Sequence, residues 1–124
     1  MQYGALIHEQ TFAVEMKNRN HATTNPMAKK GIKDKFKRHL SKFAREPFDR
    51  PVKLIITRIL GIGDKFYDFD SIGRGDAKEL IDTLSDIGWW HNDGPRWIQG
   101  VFYDQDKSQR WSGPAVKVQV FEVE

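Results

Sequence analysis

Apolar residues recur along this chain with two periods, two and about 3.6, and the switching between them predicts the element order. From Thr11 to Met16 the pattern alternates, with Phe12, Val14 and Met16 on one side, which predicts a half-buried strand. Lys17 to Asn25 is polar and rich in Asn, which predicts a loop. Asn25-Pro26 marks a helix start, with Pro at the first helical position. Ile32, Phe36, Leu40 and Phe43 follow at helical spacing and form one apolar stripe. Gly31 weakens the first turns by roughly 1 kcal/mol relative to Ala. Pro47 and Pro51 end the segment.

Val52 to Leu60 is a run of β-branched and aliphatic residues, as in a central strand covered on both faces. Gly61 and Gly63 close it. A second helical stripe follows in Ala77, Leu80, Ile81, Leu84 and Ile87. Asp76 and Glu79 have the spacing of a capping box at its start, and Gly88 is a natural C-terminal stop. Asp82 and Asp86 lie off the stripe and are expected to face water. Trp97 to Tyr103 and Ala115 to Val123 alternate again, and the polar stretch from Asp104 to Pro114 is expected to join them as a hairpin. The order is strand, helix, strand, helix, strand, strand. It predicts a single α+β domain over residues 1–124, a mixed β-sheet with two main helices packed on it.

Charge adds an asymmetry to this pattern. The chain carries only +3 overall. Residues 17–53, however, hold twelve basic and three acidic side chains, a net +9, and residues 54–124 hold eight and twelve, a net −4. A basic block beside an acidic one suits a protein that grips phosphates with one part and binds cations with the other. A lysine-rich helix that is simply a solvated face gives the same pattern. With no cysteine, disulfides, thiolate zinc sites and cysteine nucleophiles are excluded. The first sixteen residues hold no Lys or Arg, so no basic leader region is expected there, and no apolar run reaches the length of a membrane span. A cytoplasmic location is the expectation.

The candidate chemistry lies in Tyr67-Asp68-Phe69-Asp70-Ser71. In an extended segment, residues two apart point to the same side, so Asp68 and Asp70 can aim two carboxylates at one point. The helix-length stretch after them can go up and return, bringing Asp93 to the same point. Hard divalent cations such as Mg2+ take one or two carboxylates and keep water and phosphate for the rest. His91 is a weaker ligand candidate because imidazole suits other metals better. Trp89, Trp90 and Trp97 can stack on bases or fill a core or a dimer interface. Phe66 and Phe69 can wedge into a DNA branch or anchor their loop.

The stretch DFDSIGRGDAKELIDTLSDIGWWHNDGPRWI resembles the RusA family of Holliday junction resolvases, especially the phage-type relatives. Asp68, Asp70 and Ser71 match the family's Asp-x-Asp element, and Lys78 its helix lysine. Asp82-Thr83-Leu84, Gly88 and Trp90 match the middle, and Asp93 the second acid of the closing turn. The resemblance is most specific over residues 67–98. It implies a homodimeric endodeoxyribonuclease, bacterial or phage-encoded, that resolves four-way DNA junctions in recombination and repair. Mg2+, or Mn2+ in its place, would be held by Asp68, Asp70 and Asp93. Lys78 would be the fourth catalytic residue, and Lys29, Lys30, Lys33, Lys37 and Arg38 would contact DNA. Two departures stand out. Asn92 replaces the first of two adjacent acids, and Gly73 and Gly75 lengthen the interval between Asp70 and Lys78. The first leaves open a non-enzymatic junction-binding relative with weakened metal binding. The charge asymmetry alone also fits a small protein-interaction domain.

Overall fold

The computed structural model describes residues 3–16, 26–65 and 76–124, with only the backbone of Pro26, Ala28 and Lys29. Asp68, Asp70, Phe66, Phe69 and the Asn-rich loop lie outside the described residues. The described elements are β1 (Leu6–Phe12), α1 (Pro26–Leu40) with a 3-10 turn at Ser41–Phe43, β2 (Val52–Ile59), α2 (Ala77–Asp86), β3 (Ile98–Asp106) and β4 (Ala115–Glu122). They form an α+β fold with one four-stranded mixed sheet in the order β1-β4-β2-β3.

The sheet topology follows from which strands are most apolar. β2 is central: it pairs parallel with β3, Leu54 opposite Val101, and antiparallel with β4, Leu54 opposite Val120. Its LIITRI stretch is buried or half-buried throughout, as a strand with two neighbours requires. A parallel β2–β3 pair needs a crossover, and α2 supplies it. The expected hairpin between Trp97–Tyr103 and Ala115–Val123 is therefore overturned. β3 and β4 flank β2 on opposite sides, and the 107–114 connection passes the end of β2. Arg110 fastens that connection by donating to the carbonyls of Gly61 and Asp64. Alternation within two strands does not say which third strand lies between them.

The first strand is also displaced. β1 covers Leu6–Phe12, pairing antiparallel with β4 up to Phe12 opposite Val116. Val14 and Met16 are buried as their alternation requires, but past the ladder: the chain turns there, with the Val14 amide donating to the Phe12 carbonyl at 2.8 Å. Burial of alternate residues thus continues without a partner strand.

One apolar cluster joins the sheet to both helices. Ile32, Phe36 and Leu40 from α1 meet Ala77, Leu80 and Leu84 from α2 over Leu54, Ile56, Val116, Val118 and Val120. Trp89 and Trp90 are fully enclosed in it. The Trp89 indole donates to the Phe43 carbonyl at 3.0 Å, and its ring meets Phe12, Phe48 and His8. Both tryptophans are core residues, which excludes them as exposed stacking platforms. No helix among the described residues is long and apolar enough to cross a membrane.

Candidate functional site

α2 begins differently from the capping box that Asp76 and Glu79 suggest. Asp76 has helical backbone angles and makes no side-chain cap bond. Its side chain is fully buried and turned to α1, where the Lys35 ammonium lies 3.4 Å from Oδ2. The same ammonium donates to the Glu15 carbonyl at 3.1 Å. Lys35 is thus no solvated surface cation. It ties the chain after β1, α1 and the start of α2 together.

The other end of α2 sets the return path. Gly88 has a φ of +97°, a left-handed conformation that glycine adopts without strain. A Cβ there would also collide with the Arg45 carbonyl. Trp89 and Trp90, locked in the core, fix the chain's direction beyond it. The next turn is built by Asn92, whose side-chain oxygen accepts from the Gly94 amide at 2.8 Å. Asn92 thereby acts as a turn former, a task the shorter polar side chains perform well. His91 is exposed and packs its ring on Trp97 at 4.5 Å between centroids, which accounts for it as a turn residue.

This geometry carries Asp93 back against α2. There its carboxylate meets Asp82, and the two share a hydrogen bond. Partial burial, that hydrogen bond and the charge of Asp93 raise the Asp82 carboxyl to about 6, against the opposing pull of Lys33 and Lys78. Asp82 is half-exposed, so it faces water in part, as expected, and meets a second carboxylate as well. The signal for it was present in the spacing: Asp82 is one helical turn from Lys78, and Gly88 reverses the chain between Asp82 and Asp93.

Lys78 and Asp93, far apart in sequence, line one cleft of about 470 Å³. Ile81 of α2 forms a wall with Lys78, and Gln99, Val101 and Tyr103 alternate along β3 as the floor. Tyr103 is half-buried, and burial raises its phenol above the usual range, so it stays neutral and able to donate. Among the described residues, no group of three or more His, Asp or Glu side chains converges as a metal cage. Asp68 and Asp70, expected at the same site, lie outside the described residues.

The basic residues of α1 are unequal. Lys33 and Lys37 both face Asp86, at 3.2 and 3.8 Å. Lys30 and Arg38 are exposed, and the side chain of Lys29 is outside the description. Asp86 is therefore an ion-pair partner linking α2 to α1.

In comparisons with known proteins, no protein-family model matches the chain, and no curated protein matches it either.

Proposed function

We propose that this protein is a Mg2+-dependent endodeoxyribonuclease acting on four-way DNA junctions. The observation that supports it most is the meeting of Lys78 and Asp93 at one cleft, with Asp93 against a second carboxylate. The resemblance over residues 67–98 adds the direction of the chemistry. The donor set fits a hard cation: Asp93 and Asp82 offer carboxylate oxygens, and the chain has no cysteine thiolate to offer. Asp93, with Asp68 and Asp70, would hold the ion. When bound, Mg2+ supplies Lewis acidity toward phosphoryl oxygens and lowers the pKa of water.

The chain's own residues account for the rest. Lys78 places a fixed positive charge where charge develops on the phosphate in the transition state. Below about pH 6 Asp82 holds a proton against Asp93 when no cation is present, which keeps two close carboxylates from being ionised together. The basic residues of α1, Lys29, Lys30, Lys33, Lys37 and Arg38, act on the DNA backbone and position it without reading sequence. A two-fold dimer would bring two such sites to a junction of similar symmetry. A cytoplasmic setting, bacterial or phage-encoded, belongs to this reading.

The test is incubation of the full chain with a labelled four-way junction and a linear duplex, in Mg2+ and in EDTA. Paired cuts in the junction alone, dependent on Mg2+ and lost in Asp70→Asn, are the expected outcome. Tight junction binding with no cleavage in Mg2+ or Mn2+ supports the second reading, a non-enzymatic junction binder. One observation favours that reading: the side chain of Asn92 is occupied by the Gly94 amide, so this position adds no carboxylate.

A further inference from the structure

We infer that the cleft between α2 and β3 is a subsite for a single unstacked deoxynucleotide, the one adjoining the phosphate under attack. This inference rests on the nuclease reading and names what lies beside its reactive centre. The first argument is size: about 470 Å³ is within the roughly 300–1,000 Å³ of small-molecule sites, and far larger than a cation needs.

The second argument is the set of chemistries that line the cleft. Lys78 and Asp93 bring a cation for a phosphate and a carboxylate. Ile81 on α2 and Val101 on β3 bring apolar wall. At the floor Tyr103 offers a ring and a neutral phenol, and exposed Gln99 offers both an amide donor and an acceptor. A nucleotide presents the matching set: an anionic phosphate, a flat apolar face and a hydrogen-bonding edge. A base must leave its stack to enter, which costs least where pairing is already interrupted, as at a branch point.

The third argument is contrast. The groove on the opposite face of the sheet is of similar size and also carries lysines and carboxylates, Lys107, Lys117, Asp104 and Asp106, but it includes neither Lys78 nor Asp93, and its Asp106 carboxylate already accepts from Ser108 and Gln109. It serves as the internal control.

The experiment is an amide NMR titration of the full chain with the four 2′-deoxynucleoside 5′-monophosphates and, separately, with inorganic phosphate. Expected are saturable shifts at Lys78, Ile81 and Gln99 through Tyr103, with the opposite groove unmoved. Inorganic phosphate is expected to shift only the Lys78 end. Gln99→Glu, which removes the amide donor and sets a negative charge beside an anionic ligand at an exposed strand position, is expected to weaken nucleotide binding by roughly 10-fold or more, with thermal unfolding unchanged. Gln99→Asn, which keeps the amide, is expected to bind within about 3-fold of the native chain. Shifts absent from β3, or reproduced in full by phosphate alone, overturn the subsite. Junction cleavage by the same preparation separates the two ideas. Cleavage without cleft shifts overturns the subsite and leaves the nuclease standing. Cleft shifts without cleavage support a nucleotide-binding cleft and overturn the nuclease, and with it the cleft's place beside a reacting phosphate.

Discussion

Asp82 and Asp86 lie one turn apart on the same helix, and their surroundings are opposite. Asp86 has two ammonium groups from α1, Lys33 at 3.2 Å and Lys37 at 3.8 Å. Asp82 has another carboxylate, Asp93, and holds its proton up to about pH 6. Asp86 is a compensated charge that joins two helices. Asp82 belongs to a pair that Lys33 and Lys78 offset only in part, and on the proposed reading such a pair is there to receive something positive. On that reading the helix divides into a structural end near Gly88 and a chemical stretch from Lys78 to Asp82.

The largest effects expected from that division are kinetic. Asp93→Asn is predicted to lower single-turnover cleavage of a bound four-way junction by about 1,000-fold or more, since a site built on few carboxylates loses its ion. Lys78→Ala is predicted to lower it by roughly 100-fold with little change in junction affinity, because a charge aimed at the transition state acts on the chemical step. Asp86→Asn is predicted to leave the rate of the bound complex within about 2-fold. Equal losses from Asp93→Asn and Asp86→Asn, measured by rapid quench, would erase the distinction between the two ends.

A smaller effect tests the frustrated pair directly. The folded Asp82 carboxyl has its pKa raised to about 6, above the roughly 3.9 of an unfolded chain. Its contribution to stability is therefore full below about pH 4 and lost as pH rises through about 6. Above that, two close charges oppose folding. Asp82→Asn is predicted to raise stability at pH 8 by on the order of 1 kcal/mol, a value already reduced for solvent screening of a half-exposed pair, or roughly 3–5 °C in Tm. At pH 4 the gain is predicted to vanish. His8, whose pKa is lowered by burial and by Arg45, imposes the opposite slope below about pH 6.5. The difference between variant and native chain removes that contribution. Calorimetry showing equal gains at both pH values would mean that Asp82 and Asp93 do not share a proton.

The same contrast explains what the sequence made legible. Residue types and their period were enough for α1, α2 and the mixed sheet, because burial of a periodic stripe is a local property. Strand order was not legible. Inserting β2 between β3 and β4 depends on which strand is covered on both sides, and a short polar connection suggests a hairpin in either case. Asp76 was misread because a capping box and a buried ion pair use the same residue; only the position of Lys35 on another helix decides. Lys78 and Asp93 were legible through the resemblance. Asp82 was missed because it was placed by its distance from the apolar stripe rather than by what the reversal at Gly88 brings back to it.

The smallest predicted effect concerns the compensated end. If α1 grips phosphates, Lys33 and Lys37 must give up part of their attraction to Asp86 when DNA arrives. An exposed ion pair is worth about 0.2–1 kcal/mol, so the competition is mild. Asp86→Asn releases both lysines and removes a negative charge within the screening length of roughly 10 Å at 0.1 M salt. Junction affinity is therefore predicted to rise about 2- to 5-fold at low salt and to fall more steeply with added salt, since each lysine newly committed to a phosphate adds about one unit to the slope. Lys30→Ala, at an exposed position that contacts no acid in the ion pairs described, is predicted to lower affinity and flatten the slope by about one unit. Fluorescence anisotropy over a salt series measures both. If Asp86→Asn leaves affinity and slope unchanged while Lys30→Ala weakens binding, DNA lies along the exposed side of α1 and does not reach the seam with α2. If neither changes anything, the basic surface of α1 is a solvated face and the junction is held elsewhere.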